Sequence, residues 1–130
     1  MTKILLIDDD EGFNEALSRS LTYEGYSVIR AFNGVEGCEV MRTERPDLII
    51  TDIVMPERDG LGVLKDLGLK MSNGDIVFPC KVIVITGGGR LLGPDYLERV
   101  EAMGVDAVLE KPFSLTDLVE VVERLVPQNA

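Results

Sequence analysis

Four short apolar runs, each stopping at a polar residue, constrain the fold of this chain more than any other feature. Lys3-Ile4-Leu5-Leu6-Ile7 runs into Asp8, Asp9 and Asp10; Leu48-Ile49-Ile50-Thr51 runs into Asp52; Val82-Ile83-Val84-Ile85 runs into Thr86; and Ala107-Val108-Leu109 is followed, after Glu110, by Lys111-Pro112. Runs this short and this rich in branched side chains read as strands hydrophobic on both faces, which suit a parallel sheet covered by helices. The carboxyl ends of neighbouring strands in such a sheet lie along one edge, where open α/β sheets bind their ligands.

The intervening segments have helical spacing. Phe13, Ala16, Leu17 and Leu21 mark a first helix ended by Gly25, ahead of a strand Tyr26 to Ala31. Asn33-Gly34 marks a turn, and a second helix from about Val35 to Thr43 stops before Pro46, because the residue preceding a proline is biased away from helix. Gly60 to Leu69 reads as a third helix, broken by Ser72-Asn73-Gly74-Asp75. The run Gly87-Gly88-Gly89-Arg90-Leu91-Leu92-Gly93 reads as a mobile loop, and Pro94 suits the first turn of a helix carrying Leu97, Val100 and Met103 and ending at Gly104. Ser114 reads as the N-cap of a final amphipathic helix through Leu115, Leu118, Val119, Val122 and Leu125. Five β/α units result. We expect residues 1–130 to form a single domain with a folded core of about residues 3–126, residues 127–130 being a tail or the start of a linker.

Composition narrows the function. The chain has 130 residues, enough for one core burying roughly two-thirds of the unfolded surface. Its net charge of −10, from 13 basic and 23 acidic residues, gives no electrostatic footprint for nucleic acid or anionic lipid. No apolar stretch approaches a membrane span, and Met1-Thr2-Lys3 enters a strand with no signal-peptide layout, so a cytoplasmic protein is expected. Cys38 and Cys80 lack metal or disulfide-framework spacing and read as reduced, partly buried thiols. With no histidine in the chain, Ser-His or Cys-His catalysis and most zinc or haem arrangements are excluded.

Asp8, Asp9, Asp52, Thr86 and Lys111 would therefore converge at one sheet edge: three carboxylates, a hydroxyl and an ammonium. Singly, each has an ordinary reading. Asp8 and Asp9 could be solvated charges before a helix N-terminus, Thr86 a strand-end residue and Lys111 a surface lysine; Asp10 reads as a helix cap. Four motifs in order change the balance: Ile7-Asp8-Asp9-Asp10, Asp52-Ile53-Val54-Met55-Pro56-Glu57-Arg58-Asp59-Gly60, Thr86-Gly87 and Lys111-Pro112-Phe113. On these motifs, over nearly its whole length, the chain resembles a CheY-like response-regulator receiver domain of two-component signalling.

The resemblance implies a flavodoxin-like (βα)5 fold, a doubly wound five-stranded parallel sheet of order 2-1-3-4-5 with helices on both faces. It implies that Asp52 accepts a phosphoryl group from a histidine kinase or phosphotransfer protein in a Mg2+-dependent reaction. Asp9 and Asp52 would bind the ion directly, Asp8 through water and Val54 through its backbone carbonyl. Thr86 and Lys111 would contact phosphoryl oxygens, Gly87 would leave room beside one of them, and Lys111-Pro112 would be cis. Met55-Pro56 and Asp59-Gly60 would shape the loop. Such a domain is no conventional enzyme, yet it catalyses its own aspartyl phosphorylation and dephosphorylation. The phosphorylated surface would act on a downstream protein, or on the chain's own output domain if the chain is a fragment, and homodimerisation on phosphorylation is common in the family.

Departures concern output. Three residues before Lys111 many receivers carry Tyr or Phe; Val108 stands there and cannot make the same inward and outward excursion. The segments from Leu69 to Cys80 and after Thr86 look longer than is common, which points to switching through the backbone of the Gly87 to Pro94 loop. Val54 and Gly88, two residues beyond Asp52 and Thr86, offer no polar side chain to an attacking water, so moderate to slow self-dephosphorylation is expected. The competing class is a receiver-like interaction module that docks a partner without being phosphorylated. A flavodoxin-like redox or hydrolase enzyme has no cofactor loop or second catalytic set to support it.

Overall fold

The computed structural model describes residues 2–52, 54–55, 58–59, 64–65, 67–70, 76–87 and 94–127. In chain order the elements are β1 (Lys3–Ile7), α1 (Glu11–Tyr23), β2 (Ser27–Ala31), α2 (Gly34–Glu44), β3 (Leu48–Asp52), β4 (Val54–Met55), β5 (Arg58–Asp59), β6 (Leu69–Lys70), β7 (Ile76–Val77), β8 (Lys81–Thr86), α3 (Pro94–Ala102), β9 (Ala107–Glu110) and α4 (Leu115–Leu125). Residues 64, 65 and 67 are also helical. The main sheet has the order β2-β1-β3-β8-β9, all neighbours parallel. Counting the long strands alone, this is 2-1-3-4-5, as the resemblance implies.

Alternation along the strands builds two cores. Ile4, Leu6, Leu48, Ile50, Ile83 and Ile85 face Leu17 and Leu21 of α1 and Leu118 and Val122 of α4. On the opposite face Leu5, Ile7 and Ile49 meet Cys38 of α2 and Leu67, while Val82 and Val84 meet Leu64 and Val100 of α3. The three central strands are buried on both faces, whereas β2 and β9 at the sheet margins are mostly half-buried.

Local chemistry sets the element ends. Asp10 caps α1 by accepting from the Phe13 N–H at 3.1 Å. The helix ends ahead of Gly25, whose φ of 98° lies in the left-handed region that glycine adopts freely. Helix α2 begins behind the Asn33 cap and ends at Arg45, a non-glycine residue with φ 49°. Helix α4 starts with a capping box between Ser114 and Asp117.

The structure moves several expected boundaries. Tyr26 precedes β2, its ring buried and its hydroxyl donating to the Val126 carbonyl at 3.1 Å. Ala16 is exposed; in its place Asn14 shares the buried face of α1 with Leu17 and Leu21, three and seven residues on, as helical geometry requires. Leu69 lies in β6, not in a helix: the Gly68 N–H closes a helical turn onto Leu64, and the next two residues pair with β7. The break at Ser72 to Asp75 lies outside the described residues, as do residues 60–63 of the expected third helix and residues 88–93 of the glycine-rich loop. Hairpins β4–β5 and β6–β7 are too short to show as apolar runs.

Candidate functional site

The sheet register brings the expected residues together. Asp52 ends β3 opposite Ile85, and Thr86 ends β8 opposite Glu110 of β9, one residue before Lys111. Two backbone bonds extend the ladder past the strand ends: the Asp8 N–H donates to the Ala31 carbonyl at 3.1 Å and the Lys111 N–H to the Thr86 carbonyl at 2.8 Å. Asp8, Asp52 and Thr86 are buried and Asp9 is exposed, so the cluster reaches from the protein interior to its surface at Asp9.

One carboxylate oxygen from each of Asp8, Asp9 and Asp52 lies within 4.8 Å of the others. Lys111 Nζ lies 3.2 Å from Asp52 Oδ2. Burial disfavours the charged ammonium, but the negative charge and hydrogen bond of Asp52, with Asp8 and Asp10 behind it, outweigh burial and raise the Lys111 pKa above its ordinary value. For Asp8 the balance goes the other way. Burial pushes its carboxyl from 3.8 up to about 6; the hydrogen bond from the Asp10 N–H resists this and the charge of Asp52 adds to it. That bond engages Asp8 Oδ1 at 2.9 Å, while Asp8 Oδ2 is buried without a hydrogen-bond partner among the described residues.

A buried, partnerless carboxylate oxygen beside two more carboxylates is costly unless a cation completes it. The donors are all hard oxygens, a set that Mg2+ favours over softer metals. The acidic cluster therefore fits a Mg2+ site. Val54 lies in β4, two residues beyond Asp52. The Lys111-Pro112 peptide is cis. A Cβ built on Gly87 would meet nothing within 4 Å among the described residues.

Supporting residues went unread in the sequence. Asn14 is fully buried, and its Nδ2 donates to the Asp8 carbonyl at 3.0 Å and the Ala31 carbonyl at 3.1 Å, while Arg30 Nε donates to Asn14 Oδ1 at 2.6 Å. The amide thus ties the backbone that carries Asp8 to β2. Its signal was available: a polar side chain in helical register with Leu17 and Leu21 must find partners inside. The Phe13 ring lies 5.0 Å from Lys111 Nζ and packs edge-on against Phe113, with centroids 5.8 Å apart and an interplanar angle of 75°. Val108, where an aromatic was missing, packs against the cluster of Leu64, Val82, Val84 and Val100.

This fold and pocket define a receiver class, and comparison with known proteins agrees. The family model for the response regulator receiver domain matches residues 4–123, and the chain belongs to that family. It is 36% identical over 134 residues to response regulator MprA of Mycobacterium bovis (strain BCG / Pasteur 1173P2), covering 98% of this chain and 54% of the relative. The chain therefore spans about half the length of that relative. Among solved structures, the signal receiver domain of a response regulator from Bermanella marisrubri is 30% identical with a TM-score of 0.80, covering 97% of this chain and 99% of the other. Response regulator TrrA from Thermotoga maritima, determined in complex with Mg(2+)-BeF, is 29% identical with a TM-score of 0.77, covering 97% and 100% respectively. Among the described residues no helix is long and apolar enough to cross a membrane.

Proposed function

We propose that this domain is a phosphoacceptor switch, with Asp52 as the residue phosphorylated. The observation that carries this reading is the placement of a buried Asp52 carboxylate 3.2 Å from Lys111 Nζ and inside the three-carboxylate cluster. An Asp52 oxygen attacks the phosphorus of a phosphohistidine on a partner histidine kinase or phosphotransfer protein. The new O–P bond forms as the N–P bond breaks, and the electron pair returns to the imidazole nitrogen. Hydrolysis reverses the state: water attacks phosphorus, the O–P bond to Asp52 breaks and inorganic phosphate leaves.

Each neighbour has a defined part. Lys111 holds Asp52 oriented before transfer and shifts its charge toward a phosphoryl oxygen afterwards. Thr86 donates its hydroxyl to a second phosphoryl oxygen. Asp9 and Asp52 would hold Mg2+ directly, with the Val54 carbonyl as a further ligand and Asp8 acting through water. When bound, the ion supplies hard positive charge against the phosphoryl oxygens and the carboxylates around them. The gain of a dianionic group then biases a surface read by a downstream protein or an output domain, with homodimerisation as one form of readout. We assign the domain to the cytoplasm.

The test is intact mass after incubation with acetyl phosphate and Mg2+, with EDTA and Asp52→Asn controls. One phosphoryl increment, absent from both controls, supports the reading. No increment here and none with cognate candidate kinases, in a folded protein that binds Mg2+, would leave the docking module as the function.

A further inference from the structure

We propose that Phe13 is a positioning residue for phosphoryl transfer, its ring face holding the Lys111 ammonium over Asp52. This rests on the phosphoacceptor reading above. Lys111 ends in a flexible four-carbon stem with its side chain about one-third exposed, and among the described residues its hydrogen-bonded partner is the Asp52 carboxylate at 3.2 Å. The Phe13 ring, 5.0 Å from Nζ, is the second restraint, within the distance at which an aromatic face attracts a cation.

The ring is itself fixed from two directions. The backbone of Phe13 is tied into the first turn of α1 by the Asp10 cap at 3.1 Å. The Phe113 ring packs against it in a T-shaped pair with centroids 5.8 Å apart, and Phe113 immediately precedes the Ser114 capping box that starts α4. Both rings pack on the core shared by α1, α4 and the sheet. The two helix caps thus set the aromatic pair, and the pair sets the ammonium. An apolar, non-aromatic side chain of similar size at position 13 keeps the packing but removes the attraction for charge.

Phe13→Leu separates these contributions, with Phe13→Met in its place if the leucine variant fails to fold. Three quantities are measured: the phosphorylation rate by acetyl phosphate at saturating Mg2+, the Mg2+ dissociation constant, and the NMR shift of the Lys111 ε-methylene protons. A ring at this distance shifts those protons upfield in the wild type. The expected result is a rate about two- to five-fold lower in Phe13→Leu, the range given by losing one exposed cation–π contact. The Mg2+ affinity stays unchanged, the upfield shift disappears, and Phe13→Tyr, which keeps the ring face, retains wild-type rate and shift. A phosphorylated wild type whose rate is matched by Phe13→Leu overturns the proposal, as does a Phe13→Tyr variant as slow as Phe13→Leu. A wild type that takes no phosphoryl group overturns the parent reading and this one with it.

Discussion

Replacing Asp8 by asparagine should stabilise the metal-free domain at neutral pH while blunting its response to Mg2+. The Asp8 carboxyl is buried, one of its oxygens has no partner among the described residues, and burial lifts its pKa from 3.8 to about 6. At about 1.4 kcal/mol for each tenfold change, ionising it in the folded, metal-free chain costs about 3 kcal/mol. Because the folded state keeps this proton up to about pH 6 and the unfolded state releases it near 3.8, wild-type stability falls as pH rises through that window and levels off above it. Asparagine has no such charge, and its Oδ1 can still accept from the Asp10 N–H, as Asp8 Oδ1 does at 2.9 Å. Its amide nitrogen is a new donor beside Asp9 and Asp52, so the net gain is set at roughly 1–3 kcal/mol above pH 7. Urea unfolding in EDTA at about pH 7.5 and about pH 4.5 reads this directly, with the difference between variant and wild type shrinking to under about 1 kcal/mol at the lower pH. Repeating the higher-pH curve in Mg2+ should stabilise wild type more than Asp8→Asn. A variant no more stable than wild type at the higher pH, or equally stabilised at both, would refute the argument that a desolvated charge on Asp8 opposes folding.

Other residues give simpler tests. Lys111→Met should leave the fold intact by circular dichroism but lower the acetyl phosphate reaction rate by about tenfold or more, since the charge 3.2 Å from Asp52 is gone. Asn14→Leu removes two donors to the Asp8 and Ala31 carbonyls and the acceptor of Arg30, and should cost about 2–4 kcal/mol in urea unfolding. Arg45→Gly relieves a left-handed non-glycine residue exposed at the end of α2, and should raise stability by about 0.5–1 kcal/mol.

Much of this architecture was legible because strands buried on both faces leave unbroken apolar runs. Where Leu5-Leu6-Ile7, Ile49-Ile50 and Ile83-Val84-Ile85 stop, the pocket begins, so Asp8, Asp52 and Thr86 were visible as strand-end residues before any contact was known. Asp10, Ser114 and Gly25 were legible because caps and left-handed residues have local chemistry. The side chains that support the site from other segments were not. Asn14 looks like a solvent residue by type, and only the helical phase set by Leu17 and Leu21, together with the two carbonyls it meets, shows why it is buried. The contact of Phe13 with Lys111 joins opposite ends of the chain, and no periodicity encodes it. Leu69 fitted a helical stripe, yet pairing with Val77 won, a tertiary preference overriding local pattern.

The central claim is that the phosphoryl group resides on Asp52, and borohydride trapping tests it most directly. Hydride reduces an acyl phosphate to the alcohol, converting the modified aspartate to homoserine, which peptide mass spectrometry locates in the sequence. After reaction with acetyl phosphate and Mg2+, the account predicts homoserine at position 52 and intact aspartate at Asp8 and Asp9. Homoserine at position 8 or 9, or phosphorylated protein in which position 52 stays intact, would contradict it.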